Sequence, residues 1–253
     1  MKVLVLAALK HEIKYILKEL DARPCGEGTW LARQGKAEAA IFLTGMGVEN
    51  AAARARAALL AHTPALVISA GFAGALYPGA EYGELVCPER AFLHQGASLH
   101  KRTRPQEDRA GLELAWPGFA GLFQTVSEKT GAKRGSIVTL SEWIEKPALK
   151  DFLPQPGPPY PVCDMETFPI AQSVLKSGAG FFALRSITDR ENEEIGISPM
   201  EMADAGGQIS TRLAAWRFIC NPRLIPRAVK LRSNSEKAAS ALASALKWLF
   251  LSL

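Results

Sequence analysis

The sequence predicts an α/β fold: a three-layer α/β/α sandwich around a mixed, mostly parallel sheet, built as one domain over residues 1–253. Two observations carry this. Strand-like apolar runs alternate with helix-periodic segments from the first residues onward, the pattern of strands joined by helical crossovers. The chain is 48% hydrophobic and only 22% charged, enough apolar material for a sizeable core and too little charge for disorder.

Taken in order, KVLVLAAL reads as a buried first strand and HEIKYILKEL as an amphipathic helix. A signal peptide would carry a small-residue cleavage site where that charged helix follows, and no run approaches the roughly 20 apolar residues of a spanning helix. TWLARQ and AEAAIFLTG read as a hairpin pair about Gly35. VENAAARARAALLAH has helical spacing, and Pro64 restarts the chain in the strand PALVISAGFAG. EYGELVCPERAFL is a further strand. Residues 94–135 read as polar and irregular, with HKRTRPQEDR as a loop, before the strand GSIVTL. Pro154, Pro156, Pro158, Pro159 and Pro161 mark a surface connection. VCDMET is then a strand, PIAQSVLKSG a helix and GFFALRSITD a strand. Two long helices from about Ser198 and about Ser233 close the chain.

Charge and cysteines bound the partners. The formal charge is +5, but the segment from Arg212 onward holds eight bases against the single acid Glu236. That basic end either approaches an anionic surface or is a solvated face. Aromatics are not interleaved with the bases for base stacking, so nucleic acid is not an expected partner. Cys25, Cys87, Cys163 and Cys220 are scattered without a CxxC pair, so neither a metal site nor a disulfide framework is expected, and no cofactor. A reducing cytoplasm fits this usage.

In such folds ligands sit beyond the carboxyl ends of strands. Four strand ends stand out: Glu12 after the first strand, Gly71 and Gly74 in SAGFAGAL, Met165 and Glu166 in CDMET, and Asp189 in LRSITD. Each alone has a plain reading. Glu12 suits a helix dipole, the glycines a tight turn, and Asp189 a turn or cap. In CDMET, Asp164 and Glu166 are two apart and would share one face of an ideal strand, with Met165 on the other.

Together and in this order, Glu12, SAGFAGALYPGAEYGELV, VCDMET and LRSITD resemble the nucleoside phosphorylase superfamily, nearest to the methylthioadenosine/S-adenosylhomocysteine nucleosidases. The resemblance runs from about residue 2 to about residue 190. It implies a homodimeric enzyme that cleaves adenine from a 5′-substituted adenosine. Carried over, it makes Asp189 the acid that protonates N7 of the leaving base and Glu12 the base that activates water. Glu166 would hold the ribose hydroxyls, Met165 would pack on the sugar, and Arg185 would support the site. Gly71 and Phe72 would border the sugar, and Trp143 and Ile144 in SEWIEKPALKDF would line the purine pocket, with plain packing as the alternative for those two. If Met165 meets the sugar, the strand must turn at Glu166 so that both side chains face one pocket.

Two departures keep alternatives open. Phe72 stands where the family often has a small hydroxyl residue, which leaves a non-catalytic nucleoside or lipid binder as one alternative. LeuLysHisGlu does not reproduce the phosphate loop of phosphorolytic relatives, which weakens phosphorolysis, though Lys10, His11 or Arg185 remain available to meet an anion. The DMET form and the basic end are also similar to the hopanoid-associated branch, which implies a lipid-linked adenosine. The C-terminal stripe Leu242, Leu246 and Leu249 would then either rest on the inner face of a membrane, as a peripheral contact, or pack on the sheet.

Overall fold

The computed structural model describes residues 1–95, 111–144, 146–149, 152–153, 159–193 and 198–253. The expected loop HKRTRPQEDR and Pro154, Pro156 and Pro158 of the proline-rich connection lie outside the described residues.

The strand β1 (Lys2–Ala7) sets the layers. Val3, Val5 and Ala7 enter one apolar core, while Leu4 and Leu6 enter the other, so the two-residue period divides a continuous apolar run between two faces. The first core is closed by α1 (Lys10–Glu19), α3 (Phe119–Thr130) and α6 (Ile225–Ser252), through Ile13, Ile16, Val126, Leu242, Leu246 and Leu249. The second is closed by α2 (Val48–His62) and α4 (Thr167–Ser177), through Ala51, Ala55, Ala58, Ile170 and Val174. The alanine face of α2 lets that helix lie close to the sheet and to α4.

The sheet is mixed. Its other strands are β2 (Arg23–Gly26), β3 (Thr29–Gln34), β4 (Ala37–Leu43), β5 (Leu66–Ala75), β6 (Leu85–His94), β7 (Leu112–Glu113), β8 (Lys133–Leu140), β9 (Pro161–Asp164) and β10 (Gly180–Asp189). The order is β10-β6-β8-β9-β5-β1-β4-β3-β2, and β10 also pairs β5. The portion β5, β10, β6, β8 and β9 therefore closes on itself, while β1 to β4 extend it as an open sheet. Pairing is parallel for β1–β4, β1–β5, β10–β5, β6–β8 and β8–β9, and antiparallel for β10–β6, β5–β9 and the β2–β3–β4 meander.

Two expectations about elements need correction, and one strand had no expectation at all. Residues 94–135 are not all irregular: α3 forms there, and because it buries only Phe119 and Val126 its apolar period is faint. The closing helices are not two long ones from Ser198 and Ser233. Pro199–Met202 makes only a 3-10 turn; α5 (Thr211–Cys220) is short, with the Ser210 hydroxyl capping Leu213 N–H, and α6 begins at Ile225. Pro226 in its first turn has no N–H to lose there, so it starts the helix where an interior proline would break it. β2, short, exposed and carrying Pro24, is an edge strand without an apolar alternation to announce it.

The stripe Leu242, Leu246 and Leu249 is fully buried, so of its two readings packing on the sheet is the one realised. No described helix is long and apolar enough to cross a membrane. Leu246→Ala is expected to cost about 2–5 kcal/mol in urea denaturation; an unchanged midpoint would contradict its place in the core.

Candidate active site

Glu12 stands in the first turn of α1 and is almost completely buried. Its Oε2 accepts from the N–H of Leu9 (2.8 Å) and its Oε1 from the N–H of Phe72 (2.9 Å), so β5 and the start of α1 hold the carboxylate between them. A Cβ at Gly71 would come within 2.8 Å of Glu12 Oε1. A Cβ at Gly74 would come within 2.6 Å of Asp189 Oδ2. Both glycines lie within regular β5 and neither makes a tight turn; what they supply is space for a carboxylate each.

Asp189 ends β10, where the register with β5 slips between Ile187 and Asp189. The extra residue, Thr188, re-aims the strand end. The Thr188 hydroxyl donates to Asp189 Oδ1 (2.8 Å), and Asn234 Nδ2 on α6 donates to the Thr188 carbonyl (3.1 Å). Asp189 Oδ2 is ion-paired with Lys146, a buried lysine on the 3-10 turn Lys146–Leu149, whose Nζ also donates to the Arg190 carbonyl (2.5 Å). Gly74, Trp143, Ile144, Met165, Lys146 and Asp189 line a cavity of about 60 Å³. That is room for about two waters. Cys163 borders the same cavity, but burial pushes its thiol up to about 12, so it is no thiolate nucleophile. A larger cleft of about 770 Å³ lies at the opposite strand ends, among Lys2, Arg23, Arg33 and His62, away from Glu12, Glu166 and Asp189.

The strand β9 ends at Asp164, so the chain does turn before Glu166, which caps the start of α4. The two side chains then part. Met165 lines the cavity beside Asp189, whereas Glu166 reaches toward α2, where its Oε1 accepts from the N–H of Gly47 (2.8 Å). The expectation of one shared pocket thus needs correction: Glu166 does not line the cavity that Met165 does.

Asp164 accepts from Thr139 Oγ1 (2.7 Å), from Thr167 N–H (2.9 Å) and from Nε and Nη2 of Arg185 (3.1 and 3.0 Å). Arg185 also donates to the Ser69 and Leu184 carbonyls, the Ser69 hydroxyl and the Thr167 hydroxyl. These bonds occupy all five of its N–H groups. Removing one partner from such a buried pair costs about 3–5 kcal/mol. Arg185 therefore positions the site from beneath and has no N–H to offer an anion. Phe72 is half-buried, edge-on to His11 with ring centres 6.1 Å apart, and burial lowers the His11 pKa.

Electrostatics bind the acids together. Burial raises the Glu12 pKa, against the N–H bonds from Leu9 and Phe72 and the Arg185 charge. Burial raises Glu166 as well, and the charges of Asp164 and Glu12 raise it further. Glu12 and Glu166 are thus near enough to feel one another.

The sequence profile of the phosphorylase superfamily matches residues 2–217. The chain belongs to the phosphorylase superfamily. Among curated relatives of this superfamily member, the 5′-methylthioadenosine/S-adenosylhomocysteine nucleosidase of Geobacillus kaustophilus is 26% identical over 230 residues, covering 84% of this chain and 94% of the relative. The futalosine hydrolase of Streptomyces coelicolor is 28% identical over 159 residues, covering 60% and 68%. In the same fold, Helicobacter pylori futalosine hydrolase superposes with a TM-score of 0.72 at 18% identity, covering 100% of this chain and 98% of its own. The H. pylori 5′-methylthioadenosine/S-adenosylhomocysteine nucleosidase, solved with a pyrrolopyrimidine–pyrrolidine ligand, also gives 0.72 at 18%, covering 100% and 99%.

Sequence reasoning about this superfamily member missed Gly47, Thr188 and Lys146. Gly47 gave a signal in GlyMetGlyVal before a helix, its φ of 91° being one that glycine adopts freely. Lys146 gave none, since one lysine in a polar loop has no period or spacing to mark it.

Because burial raises Glu166 above its ordinary value of 4.5, its contribution to stability is full below that value and is lost as pH rises through the folded value. Glu166→Gln, neutral throughout, is expected to melt higher than wild type at alkaline pH, by about 2–4 °C for each kcal/mol recovered. The gap should close on acidification; a gap that widens in acid would contradict the burial account.

Proposed function

We propose that this protein is a purine nucleosidase, a single-domain enzyme that hydrolyses the N-ribosyl bond of a 5′-substituted adenosine and releases adenine. The observation that carries this is the convergence of three acids from different elements, the buried Glu12 and Asp189 and the half-buried Glu166, around β5, whose Gly71 and Gly74 leave room for two of them. Breaking the bond puts positive charge on the sugar and negative charge on the base. Glu12, held by two main-chain N–H groups, takes the proton of the attacking water. Glu166 accepts the ribose hydroxyls and favours the cationic sugar. Gly71 and Phe72 border the sugar, Arg185 positions these groups from beneath, and Asp189 meets the base at its N7 side. Trp143, Ile144 and Met165 face the purine and its sugar across the cavity.

Water is favoured over phosphate because every N–H of Arg185 is already engaged within the protein. Methylthioadenosine, S-adenosylhomocysteine and adenosylhopane are the substrates to try, with inosine as a 6-oxopurine control. Free adenine should appear in phosphate-free buffer, and Glu12→Gln should lower kcat by about 10²–10⁴-fold. Activity that appears only with added phosphate would replace hydrolysis by phosphorolysis.

The free cysteines support a reducing, cytoplasmic setting, and the family resemblance supports a homodimer, which light scattering on the purified chain measures. Membrane contact, if it occurs, moves to a new place. With Leu242, Leu246 and Leu249 buried, exposed apolar groups cluster instead at Leu213, Trp216 and Ile219 on α5 and Ile225 and Val229 at the start of α6. They stand among Arg212, Arg217, Arg223, Arg227, Lys230 and Arg232, a combination suited to an anionic bilayer and a lipid-linked 5′ group. Flotation with phosphatidylglycerol vesicles should retain the wild type and lose the Trp216→Ser/Ile219→Ser double variant; no retention at low salt would remove the membrane from this account.

A further inference from the structure

A buried ion pair needs a reason, because taking two charges out of water offsets most of what their attraction gains. Lys146 and Asp189 are such a pair, at the wall of the cavity where the base would enter. The fold makes room for it specifically: a Cβ on Gly74 would come within 2.9 Å of Lys146 Cε as well as 2.6 Å of Asp189 Oδ2. Among the described residues Lys146 Nζ donates to the Arg190 carbonyl and is ion-paired with Asp189 Oδ2, which itself accepts no hydrogen bond, so the ammonium still has an N–H to give. The neighbouring ionisable groups among the described residues do not compete for it. Asp164 is taken by Arg185, Glu193 by Lys230 and Tyr82, and Cys163 remains a thiol.

An adenine presents on its N7 edge one acceptor, N7, beside one donor, the 6-amino group. An ionised Asp189 offers only acceptors, whereas Lys146 offers only donors. Side by side they match that edge. Resting on the nucleosidase reading above, we propose that Lys146 is the catalytic acid of this site: its ammonium delivers the proton to N7, while Asp189 accepts from the 6-amino group and holds Lys146 in place. The C1′–N9 bond breaks and its electron pair passes into the purine; N7 takes a proton from Lys146 Nζ, which becomes a neutral amine. The water oxygen bonds to C1′ and its proton goes to Glu12. The products are the free sugar and neutral adenine; Lys146 then regains a proton from solvent as Glu12 gives one up.

The test compares two leaving groups on the full chain: methylthioadenosine, and the 4-nitrophenyl glycoside of the same sugar, whose leaving group needs no proton. Lys146→Met should lower kcat on methylthioadenosine by about 10²–10⁴-fold and leave nitrophenol release close to the wild-type rate. Lys146→Arg keeps the charge pair and the fold, which its melting temperature checks, but should not restore adenine release, since a guanidinium does not give up its proton. Equal losses on both substrates, or full rescue by arginine, would reduce Lys146 to a counter-ion and overturn the proposal. Should the wild type cleave no nucleoside, the nucleosidase reading fails and calorimetry with free bases judges Lys146 alone. Adenine should then bind about tenfold or more tightly than 7-deazaadenine, which lacks the N7 acceptor, with the preference erased in Lys146→Met. Equal binding of the two bases by the wild type would overturn the assignment.

Discussion

The buried pairing of Asp164 with Arg185 is the contact on which the rest of the site depends. It joins the end of β9, the start of α4 and the middle of β10, and Arg185 carries the connection on to Ser69 of β5. Asp164 in turn fixes the first turn of α4 by accepting from the Thr167 N–H, and it reaches β8 through the Thr139 hydroxyl. Four segments that are distant in sequence are thereby set in one arrangement. The charge balance matters as much as the geometry: the Arg185 charge lowers the cost of ionising Glu12 and Glu166, while the Asp164 charge raises it for Glu166.

Around this anchor the acids are sorted by what holds them. Glu12 is held by main-chain N–H groups, which cannot move without moving α1 and β5. Glu166 is held by the N–H of Gly47, which starts α2, and by the N–H of Met165 beside it, so its position depends on the loop before α2 and on the turn before α4. Asp189 is held by a hydroxyl and by the flexible side chain of Lys146.

Much of the fold was legible because period-two and helical spacing are local properties. β1, α1, α2, β5, β6, α4 and β10 fall where apolar periodicity and the proline and glycine stops place them. α3 and α5 were illegible because they bury little, and a helix with few buried positions writes a faint period. The acids were legible as strand-end carboxylates, but their roles rested on a resemblance, since spacing alone leaves Asp164 and Glu166 equivalent. Their separation is a tertiary fact: Asp164 meets an arginine 21 residues later, and Glu166 meets an N–H 119 residues earlier.

The sequence by itself determined the alternation of strands and helices, the buried character of the central strands and the presence of acids at their ends, because each is written in residues close along the chain. Only the tertiary structure decided that the sheet closes on itself through β10 and β5, that Gly71 and Gly74 serve as space for carboxylates, and that Lys146 faces Asp189. It also decided that the basic end exposes Trp216 and Ile219 while burying Leu242, Leu246 and Leu249. The physical reason is common to all of these. Each depends on which surfaces meet across long sequence separations, and burial, charge pairing and steric room exist only once they have met.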